Sequence, residues 1–373
     1  MSNKTRPISV AIGLGDTGGH IYIADAIADR IMEDGPENKL TFVGAEGRLD
    51  MVPIIGAKYP IRTYKIRPYN RRHRIRNASL IFQLVRCMAK SFGILRSCDP
   101  DVVVGTGGYS SGPFLLTASL MRIPSLIIEP NSLPGLTNRL LKHSVDRVLI
   151  AFASAGNHFP EKKVINTGIP VRDSVLHPNG DKREACRLFG LNPDLRTILI
   201  TGGSLGSETI NGLISRNLSR LSANNVQVLW QTGFHHMEAV REILRKKPFP
   251  NCKLIPYTDR MDSAYCVADL VVSAAGAVSI AELAALGKPA IVIPSVEATE
   301  DHQTSNAMAL LESGACLVMS DTEAKRRLVD CMIDTVHDRQ LLSELSVSIR
   351  AIGRSDATER AYGEIIKLAR GID

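Results

Sequence analysis

The chain has seven cysteines but no CxxC pair, and its nine histidines form no HExxH. The spacings that mark a structural zinc are therefore missing. Seven scattered cysteines suit a reducing compartment better than a disulfide framework. No Asp-x-Asp pair stands at the carboxyl end of an expected strand, so nothing in the residues calls for a metal or other cofactor. There is no run of about 18 uncharged apolar residues, so no helix is expected to span a membrane. The opening MSNKTRP leads straight toward a strand without an apolar segment of signal type. These absences predict a protein of the cytoplasm, or of the cytoplasmic face of a membrane. Aromatic residues are also few, at 5%.

What is present is enough for two cores. The chain has 373 residues, 44% of them hydrophobic and 22% charged, which exceeds one ordinary core. An apolar strand ending in a glycine-rich turn before a helix recurs four times: ISVAIGLGDTGGH (8–20), DVVVGTGGYSSG (101–112), ILITGGSLGS (198–207) and LVVSAAGAVS (270–279). Such a turn presents unpaired backbone N–H groups at a helix N-terminus, which binds phosphate without a cationic side chain. Two turns in each half suggest a phosphorylated ligand held between two nucleotide-binding-type domains.

Strands are expected at 8–13, 40–44, 101–105, 124–129, 147–151 and 163–167, with helices near 20–33, 79–96, 112–121 and 135–142. The second half repeats the scheme, with strands at 197–201, 226–231, 253–256, 270–273, 289–293 and 315–319. Its helices are expected near 207–221, 236–245, 279–286, 303–312 and 323–336. Continuous apolar runs such as VVV and SLII are those of parallel strands buried on both faces. The expected class is α/β, two Rossmann-like doubly wound domains with ligands at the carboxyl ends of strands. The break falls in TGIPVRDSVLHPNGDKRE (167–184), giving domains 1–171 and 172–354. A last helix, about 355–373, could pack back on the first domain.

The net charge of +7 is uneven. Arg62, Lys65, Arg67, Arg71, Arg72, Arg74 and Arg76 lie in one stretch without an acid. The apolar residues Leu80, Leu84, Val85, Met88 and Phe92 follow at helical spacing. One reading is a solvated loop before a core helix. The other is a patch on anionic lipid, where each cation adds ~1 kcal/mol. The basic stretch has no interleaved aromatic stacking residues beyond Tyr64 and Tyr69, which argues against nucleic acid as the partner.

The first turn contains Gly13, Gly15 and Gly18 as G-x-G-x-x-G. The acid expected about 20 residues on is absent, since Glu46 comes too late, and Asp16 would aim a carboxylate at a pyrophosphate. A nicotinamide or flavin site is not supported. His20 opens the first helix. It is either an ordinary polar residue near a helix start or a general base, because a helix N-terminus disfavours imidazolium and keeps the ring able to accept a proton. Ser279 and Glu282 form an S-x-x-E capping box. A carboxylate one turn inside a phosphate-binding helix could also accept both ribose hydroxyls, so both roles stay open.

The stretch AAGAVSIAELAALGKPAIVIP (274–294) resembles the nucleotide-sugar half of the GT-B glycosyltransferases. The whole chain resembles their family 28. The motifs follow in family order: TGGH (17–20), GGYSSGP (107–113), EPNSLPGLTNRLL (129–141), TGIPVR (167–172), GGSLGS (202–207), QTG (231–233), YTDRMDSAY (257–265) and DHQTSNA (301–307).

The resemblance implies a GT-B fold with the active site in an interdomain cleft. It implies inverting transfer of N-acetylglucosamine from UDP-N-acetylglucosamine to an undecaprenyl-diphosphate-linked N-acetylmuramyl-pentapeptide, without a cofactor. It further implies a peripheral protein of the inner membrane's cytoplasmic face, with cell-wall and division complexes as partners; on the lipid reading of the basic stretch, Arg67, Arg71, Arg72, Arg74 and Arg76 meet the anionic surface. His20 matches the family's candidate base. Thr17, Gly18 and Gly19 match the loop facing donor sugar and acceptor diphosphate, and Asn131 a donor-sugar contact. Arg172 and Ser204 match nucleotide and phosphate contacts. Thr258 matches the uracil position, and Gln303 a sugar contact. Ala277, Val278, Ser279, Ile280, Ala281 and Glu282 match the phosphate and ribose segment. Three positions depart from the family: Asp16 for a glycine, Ile23 for a proline, and Pro130 for a glutamine. Two alternatives remain at this stage, a GT-B transferase acting on another lipid and a catalytically silent sugar-nucleotide-binding protein.

Overall fold

A computed structural model describes residues 6–46, 59–67, 78–178, 180–295 and 301–372. The chain divides into two compact units, Met1–Arg172 with Asp356–Asp373, and Asp173–Ser355.

In unit 1, β1 (Ser9–Gly13), β2 (Lys39–Ala45), β3 (Ile61–Tyr64), β4 (Val102–Gly105), β5 (Ser125–Glu129), β6 (Arg147–Ile150) and β7 (Val164–Asn166) form one parallel sheet. Its order is β3-β2-β1-β4-β5-β6-β7. Every residue of β4 and β5 is buried, as expected for strands covered on both faces. The covering helices are α1 (Gly18–Asp34), α2 (Ala78–Cys98), α3 (Gly108–Leu120) and α4 (Leu136–Leu141).

Unit 2 has a second parallel sheet of β8 (Arg196–Thr201), β9 (Val226–Gln231), β10 (Cys252–Ile255), β11 (Leu270–Ala274), β12 (Ala290–Ile293) and β13 (Leu317–Val318). The order is β10-β9-β8-β11-β12-β13. Its helices are α5 (Asp173–Leu176), α6 (Lys182–Phe189), α7 (Glu208–Arg216), α8 (Leu218–Ser222), α9 (Met237–Lys246), α10 (Met261–Val267), α11 (Ala277–Leu286), α12 (His302–Glu312), α13 (Asp321–His337) and α14 (Arg339–Ile352). Each sheet reverses its strand order once, between β1 and β4 and between β8 and β11. In open α/β sheets, ligands enter at this reversal.

Each strand expected from the sequence is present. The structure adds β3, cut from the start of the basic stretch that otherwise reads as a loop. The single helix expected at 207–221 is two helices meeting at Asn217. The last helix, α15 (Ala357–Arg370), packs on α1 in unit 1. There the Arg30 guanidinium donates to Glu359 and lies 4.1 Å over the Tyr362 ring. The Thr358 hydroxyl joins α15 to Val171.

Candidate active site

In unit 1, Gly13 of β1 pairs with Gly105 of β4, so the two following turns leave the sheet side by side. Thr106 Oγ1 accepts the Gly15 amide at 3.3 Å, and Ser110 Oγ donates to the Leu14 carbonyl at 2.6 Å. The Tyr64 hydroxyl donates to the Ser110 carbonyl behind them. These contacts bind the first turn to the second. Helix α1 starts at Gly18 with Thr17 as its N-cap and no side-chain cap bond. Its first amides have no carbonyl one turn back to accept them.

The His20 ring fills a space that only glycines allow. A Cβ on Gly15 would lie 2.3 Å from Nδ1, and one on Gly107 would lie 3.0 Å from Nε2. Thr17 Oγ1 is 3.2 Å from Nδ1. Gly107 and Gly108 have φ of 101° and 75°, left-handed values that disfavour side chains on a second count.

Glu129, at the end of β5, is 1% exposed and gathers donors from Asn131, Gly135 and Asn138. Oε1 accepts the backbone and side-chain amides of Asn131 at 2.9 and 3.2 Å. Oε2 accepts the Gly135 amide at 3.0 Å and Asn138 Nδ2 at 2.8 Å. This carboxylate fixes the loop carrying Asn131 through charge-assisted bonds. In the sequence Glu129 opens the segment EPNSLPGLTNRLL (129–141), where nothing local gives it this task. Arg172 is buried, its guanidinium 4.2 Å over the Tyr22 ring of α1.

Unit 2 repeats the plan. Thr201 of β8 pairs with Ser273 of β11, again setting two glycine turns side by side. Gly206 lies so near the neighbouring strand end that a Cβ would meet the Thr232 carbonyl oxygen at 2.1 Å. Gln231 Nε2 donates to Thr201 Oγ1 and to the Gly203 carbonyl, steadying the turn that holds Ser204. Ser207 caps α7 by accepting the Ile210 amide.

Helix α11 corrects the capping-box reading. Its N-cap is Gly276, without a side-chain cap bond, so Ser279 and Glu282 both lie inside the helix. Glu282 instead accepts the Tyr265 hydroxyl at 2.8 Å and is 5% exposed. Ala277 and Ile280 are buried, whereas Val278, Ser279 and Ala281 are half-buried. Thr258, also buried, accepts the Arg260 amide at 3.0 Å. Burial acts to raise the Asp262 carboxyl, but the Arg260 guanidinium and Ser263 hold it below its usual range. Gln303 Oε1 accepts the Ser295 amide at 2.9 Å. Among the described residues, no cluster of His, Cys, Asp and Glu could hold a metal ion.

Helix α2 departs from the core helix that its apolar spacing suggests. Among its described side chains the buried ones are Cys87, Ser91, Ile94 and Leu95. Phe82, Val85 and Phe92 are 64%, 58% and 47% exposed, and Leu84 is exposed as well. Arg86 lies over the Phe82 ring. Leu120 at the end of α3 and Leu140 on α4 are 69% and 73% exposed. Arg67 is exposed, while Arg71, Arg72, Arg74, Arg76 and the Leu80 side chain lie outside the described residues. Lys65 and Lys90 both stand near Glu46, an acid brought in from the end of β2. Among the described residues, no helix is long and apolar enough to cross a membrane.

Two doubly wound parallel sheets, each with paired glycine turns at its reversal point, define a GT-B glycosyltransferase fold. Residues 10–150 match the glycosyltransferase family 28 N-terminal domain, and residues 197–352 match the family's C-terminal domain. The chain is 40% identical over 98% of both chains to a Bacteroides thetaiotaomicron protein named UDP-N-acetylglucosamine–N-acetylmuramyl-(pentapeptide) pyrophosphoryl-undecaprenol N-acetylglucosamine transferase. A Porphyromonas gingivalis protein of the same name is 39% identical over 95% of this chain and 94% of its own. The crystal structure of Acinetobacter baumannii MurG superposes with a TM-score of 0.73 at 28% identity, covering 97% of this chain and all of that one. The chain belongs to glycosyltransferase family 28.

Proposed function

We propose that the protein transfers N-acetylglucosamine, with inversion, from UDP-N-acetylglucosamine to an undecaprenyl-diphosphate-linked N-acetylmuramyl-pentapeptide. The observation that carries this reading is the 40% identity, over 98% of both chains, to a relative named for that reaction. The geometry of each unit is in keeping with it.

Unit 2 takes the UDP. The turns 202–207 and 276–279 meet the diphosphate with backbone amides, Ser204 among them, and Glu282 accepts the ribose hydroxyls. Uracil lies against Thr258, and Gln303 meets the sugar. Unit 1 takes the acceptor, whose diphosphate meets Thr17, Gly18 and Gly19 at the N-terminus of α1. The acceptor hydroxyl oxygen bonds to the sugar's anomeric carbon as the bond from that carbon to UDP breaks. His20 accepts the hydroxyl proton. Oriented amides and helix dipoles stabilise charge on the departing UDP, and this scheme requires no cofactor.

Radiolabelled transfer from UDP-N-acetylglucosamine to a short-chain muramyl lipid tests the reading. Labelled disaccharide-lipid is the expected product. Transfer to diacylglycerol alone would assign a different acceptor. UDP-sugar binding without transfer to either lipid would make the protein a binding module.

We further propose that unit 1 docks on an anionic membrane surface, with Phe82, Val85 and Phe92 entering the interface and the arginines that precede α2 in the sequence meeting the lipid phosphates. Replacing Arg67, Arg71, Arg72, Arg74 and Arg76 with glutamine is expected to abolish sedimentation with anionic vesicles while sparing transfer to a water-soluble acceptor. Screening within ~8–10 Å makes wild-type binding fall steeply with salt. Equal sedimentation of both forms on anionic and neutral vesicles would return the stretch to a solvated loop.

A further inference from the structure

Two helix N-termini meet at the reversal point of unit 1, and neither N-cap residue, Thr17 or Gly107, supplies a side-chain cap bond. At the start of α3, Asp16 Oδ2 from the first turn accepts the Tyr109 amide at 3.1 Å instead. A Cβ on Gly108 would lie 2.7 Å from the same oxygen and 3.0 Å from the Gly15 Cα. The carboxylate is thus lodged between the first turn and the first residue of α3. It occupies the position in which an incoming phosphate oxygen would meet the Tyr109 amide.

We propose that Asp16 is a built-in anion that sets acceptor specificity in unit 1. It takes the α3 terminus for the protein's own carboxylate and leaves the amides of α1 to the acceptor diphosphate. The inference rests on the acceptor being diphosphate-linked, as proposed above. Two consequences follow from the charge. A second phosphate that reaches toward α3 meets a carboxylate instead of a donor, so binding is weaker than two open helix ends would give. Acceptors with one phosphate are penalised less, so the ratio of the two affinities reports on Asp16.

Asp16→Asn keeps an oxygen for the Tyr109 amide and removes the charge, whereas Asp16→Gly removes both. In the transfer assay, each variant is expected to lower KM for a short-chain diphosphate-linked muramyl acceptor by roughly tenfold, the scale of one unit charge at close range. The KM for a monophosphate-linked analogue is expected to fall less, with kcat and the KM for UDP-N-acetylglucosamine within twofold of wild type. In parallel, inorganic pyrophosphate titrated into UDP-saturated protein is expected to bind about tenfold more tightly to Asp16→Asn. Unchanged acceptor KM and unchanged pyrophosphate affinity in both variants would overturn the proposal and leave Asp16 as a helix cap. Weaker binding would overturn it in the opposite sense, making Asp16 a contributor to acceptor binding. Should wild type transfer nothing, the reaction assignment fails, and the pyrophosphate titration still decides the role of Asp16.

Discussion

Replacing His20 by alanine is expected to lower turnover by about 10²–10⁴-fold, the range lost with a general base. The ring sits at the start of α1 between two turns that lack side chains at Gly15 and Gly107, with the Thr17 hydroxyl 3.2 Å from Nδ1. A side chain so confined meets its substrate in one orientation, and that preorganisation is lost with the imidazole. UDP affinity should hardly change, because the groups proposed to bind UDP belong to unit 2. Single-turnover kinetics on short-chain acceptor, with UDP binding by calorimetry, separate the two effects. A variant with near-normal turnover would remove His20 as the base.

Glu282→Ala is expected to weaken UDP binding by about 1.5–3 kcal/mol, the scale of a lost charge-assisted hydrogen bond. That corresponds to roughly 10–150-fold in Kd. No capping bond is lost, since α11 is capped at Gly276 and not by the Ser279–Glu282 pair. The folding cost includes the hydrogen bond from the Tyr265 hydroxyl, at about 1–3 kcal/mol for a buried polar group that loses a partner. Tyr265→Phe serves as the control, removing the hydrogen bond and keeping the carboxylate, and it should retain most of the UDP affinity. Unchanged UDP affinity in Glu282→Ala, with a large drop in Tm, would make Glu282 a buried partner of Tyr265 and nothing more.

The fold was legible where one local signal sufficed. An apolar run ending in glycines marks a strand, its exit and the next helix start together, and all four such turns emerge at the reversal points of the two sheets. Signals spread over distance were not legible. Ile61–Tyr64 reads as part of a basic loop because Arg62 interrupts it, and only pairing with β2 makes it a strand. Helix α6 carried readable punctuation, with Asp181 and Glu184 as a capping box and Gly190 as its left-handed end. It was lost in a stretch read as linker from its Pro, Gly and charge. In α2 the periodicity is real, but it does not say which apolar residues are covered: Cys87, Ser91 and Leu95 are buried, and the larger Phe82 and Phe92 are exposed. At the candidate site, residue types could be named from the sequence, whereas their partners could not. That Asp16 reaches the Tyr109 amide, and that Glu129 gathers Asn131, Gly135 and Asn138, depends on how β1, β4 and β5 lie beside one another.

Because α15 packs on α1, unit 1 is assembled from two stretches of chain with the whole of unit 2 encoded between them. A ribosome therefore releases every strand of the first sheet long before the helix that covers α1 has been made. Domains generally fold as units during synthesis, and here the second-made unit is the first that can be finished. In the interval, the face of α1 around Arg30 awaits Glu359 and Tyr362, and closure over so long a separation slows the last step of folding. Cutting the coding sequence at the border near residue 172 would give one unit with all its elements and one without its final helix.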